Sequence, residues 1–189
     1  MGVIGTVEDY LIARVQAALG AKLRAVDSLP GVWTDETIAQ LLRTRPGAYV
    51  SFLGGGASAR QGNTAAVEAR WAVYGVTGHA SGQAARRRGH PTEIGAYEIL
   101  ETVIPLLHNH VVPDVGTLVL REVNNLFTER ADLEGLAIYA AIFSLPMGFE
   151  VVPDPAGLAP FVTFHHELAV GQTPDTVNPE GRVTLEQGP

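Results

Sequence analysis

Ser51-Phe-Leu-Gly-Gly-Gly-Ala-Ser-Ala-Arg-Gln-Gly-Asn63 continues a short apolar run that begins at Tyr49. Read as a strand entering a phosphate cradle, it predicts a nucleotide-binding α/β fold. Read as a strand entering a plain reversal, it predicts a hairpin and an antiparallel sheet. Spacing decides between them. A phosphate loop needs G-x-x-x-x-G-K-[ST], because its lysine and hydroxyl must reach the phosphates and Mg²⁺; after Gly62 the lysine position carries Asn63. The pattern Gly54-x-Gly56-x-x-Ala59 has the outline of a dinucleotide fingerprint. No amphipathic helix follows it to hold a pyrophosphate at its N-terminus. The glycine-rich stretch 54–68 therefore reads as the connection of a hairpin, joining strands near 48–53 and 69–79. The second of these is the firmer, because Arg70-Trp-Ala-Val-Tyr-Gly-Val76 is rich in aromatic and β-branched residues.

Helical signals flank this hairpin. Val7, Leu11, Val15 and Leu19 recur at helical spacing behind Thr6, a candidate N-cap, and Gly20 is placed to close the helix. A strand over 23–29 ends at Pro30-Gly31. Thr34 is a candidate cap for a second helix, with Trp33 and Ile38 at the positions of a hydrophobic staple and Pro46 stopping it near Arg45. A third helix over 93–108, capped by Thr92, is apolar nearly all round and predicts cover on more than one side. Pro105 predicts a bend or an early end there. Segments 116–123 and 136–145 read as a second antiparallel pair. This order of elements predicts an α+β fold, a mostly antiparallel sheet covered by helices.

After Pro146 the texture changes. Six of the twelve prolines lie at 153, 155, 160, 174, 179 and 189, which no regular core element tolerates. The division predicted is a domain over 1–148 and a Pro-rich extended arm over 149–189, with one short strand near 161–170.

Composition bounds the function. With 46% hydrophobic and 17% charged residues the chain can bury a core, and a formal charge of −7 argues against general nucleic-acid binding. The absence of cysteine excludes disulfides and thiolate metal sites. No basic segment precedes an apolar one at the start, so no signal peptide is predicted, and no apolar run approaches the length of a membrane span. The expected place of folding is a cytoplasm.

No catalytic constellation assembles from the residues. His108 and His110 sit at a helix end, where imidazole near the last carbonyls is favourable without metal. His165 and His166 are neighbours in a predicted strand and point to opposite faces. Ser51 and Ser144 lack a nucleophile elbow, and Glu98 with Glu101 reads as a solvated helix edge. No catalytic, cofactor or metal residue is assigned, and no cofactor is expected. The concentrated charge is Arg86-Arg87-Arg88. It reads as a solvated loop or as a docking loop for carboxylates of another subunit.

Trp71-Ala-Val-Tyr-Gly-Val-Thr, Ala84-Ala-Arg-Arg-Arg-Gly, Gly95-Ala-Tyr-Glu-Ile-Leu, Val103-Ile-Pro-Leu-Leu-His108, Asn125-Leu-Phe127, Gly135-Leu-Ala-Ile-Tyr139 and Phe143-Ser-Leu-Pro146 together resemble the tail terminator family of Mu-like phages, as does the arm with Phe161 and Phe164. The resemblance rests on their order and spacing and spans nearly the whole chain. It implies a non-enzymatic virion protein of the tail or neck. Such proteins form a ring, usually hexameric, that stops the tail tube and presents a surface for head–tail joining. The implied partners are further copies of the chain, the tail tube protein, the tail sheath, head–tail connector proteins and DNA that passes through the lumen without specific binding; no membrane is implied. Arg86, Arg87, Arg88, Phe161 and Phe164 are the expected interaction residues. Another neck or connector protein of a phage or tail-like particle is the nearest rival, and a small metal- or nucleotide-dependent enzyme the more distant one.

Overall fold

In the computed structural model the described residues are 2–29, 34–58, 64–79, 82–126, 135–150, 163–167 and 180–184. They divide into two compact units, Met1–Val151 and Val152–Pro189.

The first unit is organised by one five-stranded sheet. Helix α1 (Val3–Leu19) buries Val7, Leu11, Val15 and Leu19, the stripe that its periodicity predicts. It starts earlier than a Thr6 cap would allow. Gly2 is the N-cap, and the Thr6 hydroxyl turns back to donate to the Gly2 carbonyl at 3.3 Å. Strand β1 (Ala25–Ser28) then runs parallel to β2 (Gly47–Ser58), and helix α2 (Asp35–Thr44) makes the crossover that a parallel pair requires. Thr34 caps α2 as expected, its hydroxyl accepting the Thr37 N–H at 3.2 Å. Arg45 ahead of Pro46 is extended and ends the helix. Trp33 of the expected staple lies outside the described residues.

The glycine stretch corrects the sequence reading. Residues 54–58 and 64–68 are not a connection: β2 runs on to Ser58, and β3 (Thr64–Gly78) starts at Thr64. Gly55 to Ser58 pair antiparallel with Ala69 to Ala66, after a bulge between Phe52 and Gly55. Gly54 carries that bulge at φ +84°, a backbone region that favours glycine. Pairing to β3 thus supplies what the sequence lacks in strand propensity.

Short helix α3 (Gln83–Arg88) and helix α4 (Ala96–Leu107) follow. Gly95 is the N-cap of α4, three residues beyond the expected Thr92, and Pro105 sits exposed in its last turn with the helix ending two residues later. Strands β4 (Val111–Val112) and β5 (Gly116–Thr117) make a small separate ladder. The expected pair near 116–123 and 136–145 is present as β6 (Val119–Asn125) against β7 (Leu136–Glu150). The sheet order is β1-β2-β3-β7-β6, antiparallel except at β1–β2. The α+β architecture stands as expected. β7 nevertheless passes straight through Pro146, which lies opposite Glu68 of β3. A proline is tolerated there because β6 pairs with β7 only as far as Ser144, so no neighbour asks for the missing N–H.

Both faces of the sheet are covered near its middle. On one face Val50, Trp71, Val73, Tyr139 and Phe143 pack with the buried residues of α1 and α4 in a single core. α4 comes so close that a Cβ on Gly75 would stand 3.1 Å from an Ile99 methyl carbon. On the other face Tyr49, Tyr74, Val76, Ile138 and Ile142 pack with Leu41 of α2, and Ile38 and Leu42 flank them. The second unit contains β8 (Thr163–Glu167) antiparallel to β9 (Glu180–Thr184). The sequence predicted the first of these strands and not the second.

Candidate functional site

The arginine triplet is a helical turn and not a loop. The Arg86 Nε donates to the His79 carbonyl at 3.0 Å, and the Arg86 carbonyl accepts from the Thr77 hydroxyl at 2.6 Å. Both bonds tie α3 to the end of β3. The Arg87 Nε reaches the Gln83 carbonyl at 3.4 Å. Its guanidinium also acts on Tyr97 and Tyr139, whose rings meet edge-on at 5.3 Å. A hydrogen bond from the Tyr139 hydroxyl, helped by the Arg87 charge, holds the Tyr97 phenol below its ordinary value, while burial pushes Tyr139 up. Arg86 and Arg87 are half-buried, and Arg88 is exposed. Of the three, Arg88 is the one presented to solvent. Phe164 lies on β8, and Phe161 lies outside the described residues.

Beyond the α2 cover, the second face of the sheet turns polar. Arg121 reaches Glu68 at 3.3 Å and Arg70 reaches Glu122 at 3.3 Å, each pair about half exposed. Arg121 also donates to the Ser144 hydroxyl at 2.7 Å, and Asn124 donates to Glu122 at 3.2 Å. This cross-strand ladder balances its own charge. Exposed pairs of this kind contribute little stability, below about 1 kcal/mol each, so the ladder sets the surface chemistry of β3, β6 and β7 more than their energy.

Past the ladder, β2, β3 and β7 continue together as a three-stranded ribbon, with residues 55–58 opposite 66–69 and residues 146–150 opposite 64–68. Residues 55–58 are exposed. A Cβ added to Gly56 would meet nothing within 4 Å. β1 ends opposite Val50, so no described strand pairs with the outer edge of β2 beyond that point.

Of the histidines flagged in the sequence, His108 and His110 have protein partners. His108 Nδ1 accepts the Leu120 N–H at 3.2 Å, and His110 Nε2 bonds the Tyr10 hydroxyl at 2.6 Å with the two rings stacked. Burial, with the Arg14 charge adding to it, holds the His110 imidazole below its ordinary value. The fold makes another grouping that sequence spacing hides: His79 stacks on His90 at 5.1 Å and lies 3.7 Å from Glu93. Only the fold joins the end of β3 to the turn before α4, so no local motif could announce it. Among the described residues no three His, Asp or Glu groups converge as metal ligands. Ser51 is buried within the sheet, and Ser144 faces Arg121. Glu98 is engaged by Lys22 at 2.6 Å on an exposed surface. Among the described residues, the surface offers an unpaired backbone edge and the charged cross-strand ladder.

The sequence profile of the family described as Bacteriophage Mu, Gp37 matches residues 3–148. The chain belongs to the bacteriophage Mu Gp37 family. It is 30% identical over 186 residues to the Mu-like prophage FluMu protein gp37 of Haemophilus influenzae, covering 98% of this chain and 91% of that protein. It is 30% identical over 138 residues to a protein of Escherichia phage Mu named as a probable tail terminator, covering 72% and 70% of the two chains. Among solved structures it is similar to a chain in the virion of a native gene transfer agent particle, with a TM-score of 0.41, 16% identity and coverage of 76% and 93%. Among the described residues no helix of this Gp37 family member is long and apolar enough to cross a membrane.

Proposed function

We propose that this chain is the tail terminator of a Mu-like phage or prophage, a structural tail protein that closes into a ring of its own copies on the last layer of the tube. Its standing as a structural tail protein rests on the family match over residues 3–148 and on the phage Mu relative named as a probable tail terminator. The ring is our reading of the sheet. One end of that sheet is closed over by α1, α2 and α4, and the other leaves a paired ribbon with an open edge. Subunits joined through unlike surfaces make either a closed ring or an endless filament, and a terminator needs the closed form. The ring then presents surfaces to the tube, the sheath and the head–tail connector. A net charge of −7 suits a lumen through which DNA slides without sticking. In this reading the protein works by shape and makes or breaks no covalent bond.

Exposed Arg88 at the end of α3 is the candidate contact to a neighbouring subunit or to the tube. Arg88→Glu is expected to reduce incorporation into tails by several fold with the monomer still folded. Tails that form and join heads normally with that variant would remove Arg88 from the interface. The reading as a whole is tested by deleting the gene and measuring tube lengths by negative-stain microscopy. Tubes of excess and variable length are expected, restored to one length by the wild-type gene. Tubes of normal length without the protein would overturn it.

A further inference from the structure

Among the described residues, several outer edges of the five-stranded sheet are blunted. β6 carries Arg121 and Glu122 and a bulge between Leu120 and Glu122. β7 beyond Ser144 carries Pro146, and Gly116 lies so close that a Cβ there would stand 2.8 Å from the Pro146 carbonyl. β1 is four residues long. Charge, bulge, proline and shortness are the means by which folded proteins discourage strand addition. The outer edge of β2 after its own bulge is likewise four residues long, but it carries no charge, no proline and no further bulge. Residues 55–58 are Gly-Gly-Ala-Ser, exposed and uncharged, with side chains too small to screen the backbone on either face.

The second unit has the converse feature. Among the described residues it holds one two-stranded ladder of five residue pairs, Thr163↔Thr184 to Glu167↔Glu180. A lone hairpin is marginal in water, and a third strand is what stabilises it. Its five-residue strands are long enough to run along the whole four-residue edge, and that edge carries no charge to repel it. We propose that the β8–β9 hairpin of one copy docks by main-chain hydrogen bonds along edge 55–58 of the next copy, making a continuous sheet across each subunit boundary. This deepens the ring reading and rests on it. Strand addition draws its affinity from backbone bonds, so the glycines serve by leaving those groups uncovered.

The chain contains no cysteine, so engineered pairs report without background. Ala57→Cys is combined with a second cysteine stepped through 163–167 and 180–184, and tails assembled with each variant are oxidised and run on denaturing gels. Covalent multimers above the dimer are expected at alternate positions of one strand, with Ala57→Cys alone remaining monomeric. Rings seen by microscopy at tube ends with no multimers at any position would overturn the docking and leave the ring standing. Linkage within single chains only would also overturn it. Absence of rings altogether would remove the ring reading and the docking with it. Amide exchange of residues 55–58 in the unsubstituted protein gives a check that needs no variant to fold. Slowing by about tenfold or more on assembly is expected, and unchanged exchange in an assembled ring would overturn the proposal.

Discussion

The two ends of the central sheet are built on opposite principles. At the helix-covered end Val50, Trp71, Val73 and Phe143 are buried against α1 and α4, while Tyr49 and Ile138 pack with Leu41 of α2. At the ribbon end, residues 55–58 are small and exposed, and their outer edge meets no described strand. The same three strands pass through both. The first end satisfies its apolar surface within one chain and supplies stability; the second leaves backbone groups along an edge that no described strand pairs. In the ring proposed above, the tasks of stability and contact are separated along one sheet.

This contrast can be broken by substitution. The largest loss is expected at the covered end, where Phe143 is fully buried. Phe143→Ala removes an aromatic ring and leaves a cavity, costing about 3–5 kcal/mol in denaturant unfolding. A loss under about 1 kcal/mol would mean that the core is not where the burial places it. Next comes Gly75→Val. The added side chain would press on Ile99 of α4 from a Cβ only 3.1 Å from its methyl carbon, and overpacking of this kind costs about 1–3 kcal/mol. Unchanged thermal stability would show that α4 can lift from β3.

His110 sharpens the comparison through pH. Its folded pKa lies below the ordinary 6.5, through burial first and the Arg14 charge second. The unfolded chain therefore takes up this proton at a higher pH than the folded chain does. The resulting stability is present above about 6.5, is lost as pH falls from that value, and stops falling once the folded pKa is passed. Melting temperatures of wild type and His110→Gln should converge as the pH is lowered from 8 to 5; parallel curves would contradict the assignment. The smallest effect on stability is expected at the ribbon. Ala57→Lys should change unfolding by no more than about 0.5 kcal/mol, yet a charged edge should lower incorporation into tails. Normal incorporation would dissolve the distinction between the two ends.

Much of the covered end was legible in the sequence. The stripe Val7, Leu11, Val15, Leu19 repeats every four residues, and only a helix puts those on one side. Thr34 announces its helix through a cap that the structure retains. Starts were harder to read. Thr6 and Thr92 look like caps, but Gly2 and Gly95 hold those positions, because a backbone already extended at the right point caps a helix without a hydroxyl. The ribbon end was misread as a connection. Glycine and alanine carry little strand propensity, and only pairing with β3, which a linear reading does not see, makes residues 55–58 a strand. Pro146 misled for a related reason: its missing N–H matters only if a neighbour lies on that side, and β6 stops short of it. The Arg86–Arg88 segment was legible as charge and not as shape. Its anchoring runs through Thr77 and His79, which only the fold brings beside it.

Electron cryomicroscopy of the head-proximal end of intact tails tests the central claim most directly. One closed ring of this chain is expected on the last tube layer, with the ribbon edge at residues 55–58 covered at every boundary between copies. Copies distributed along the tube, or single copies that touch no other copy, would contradict it.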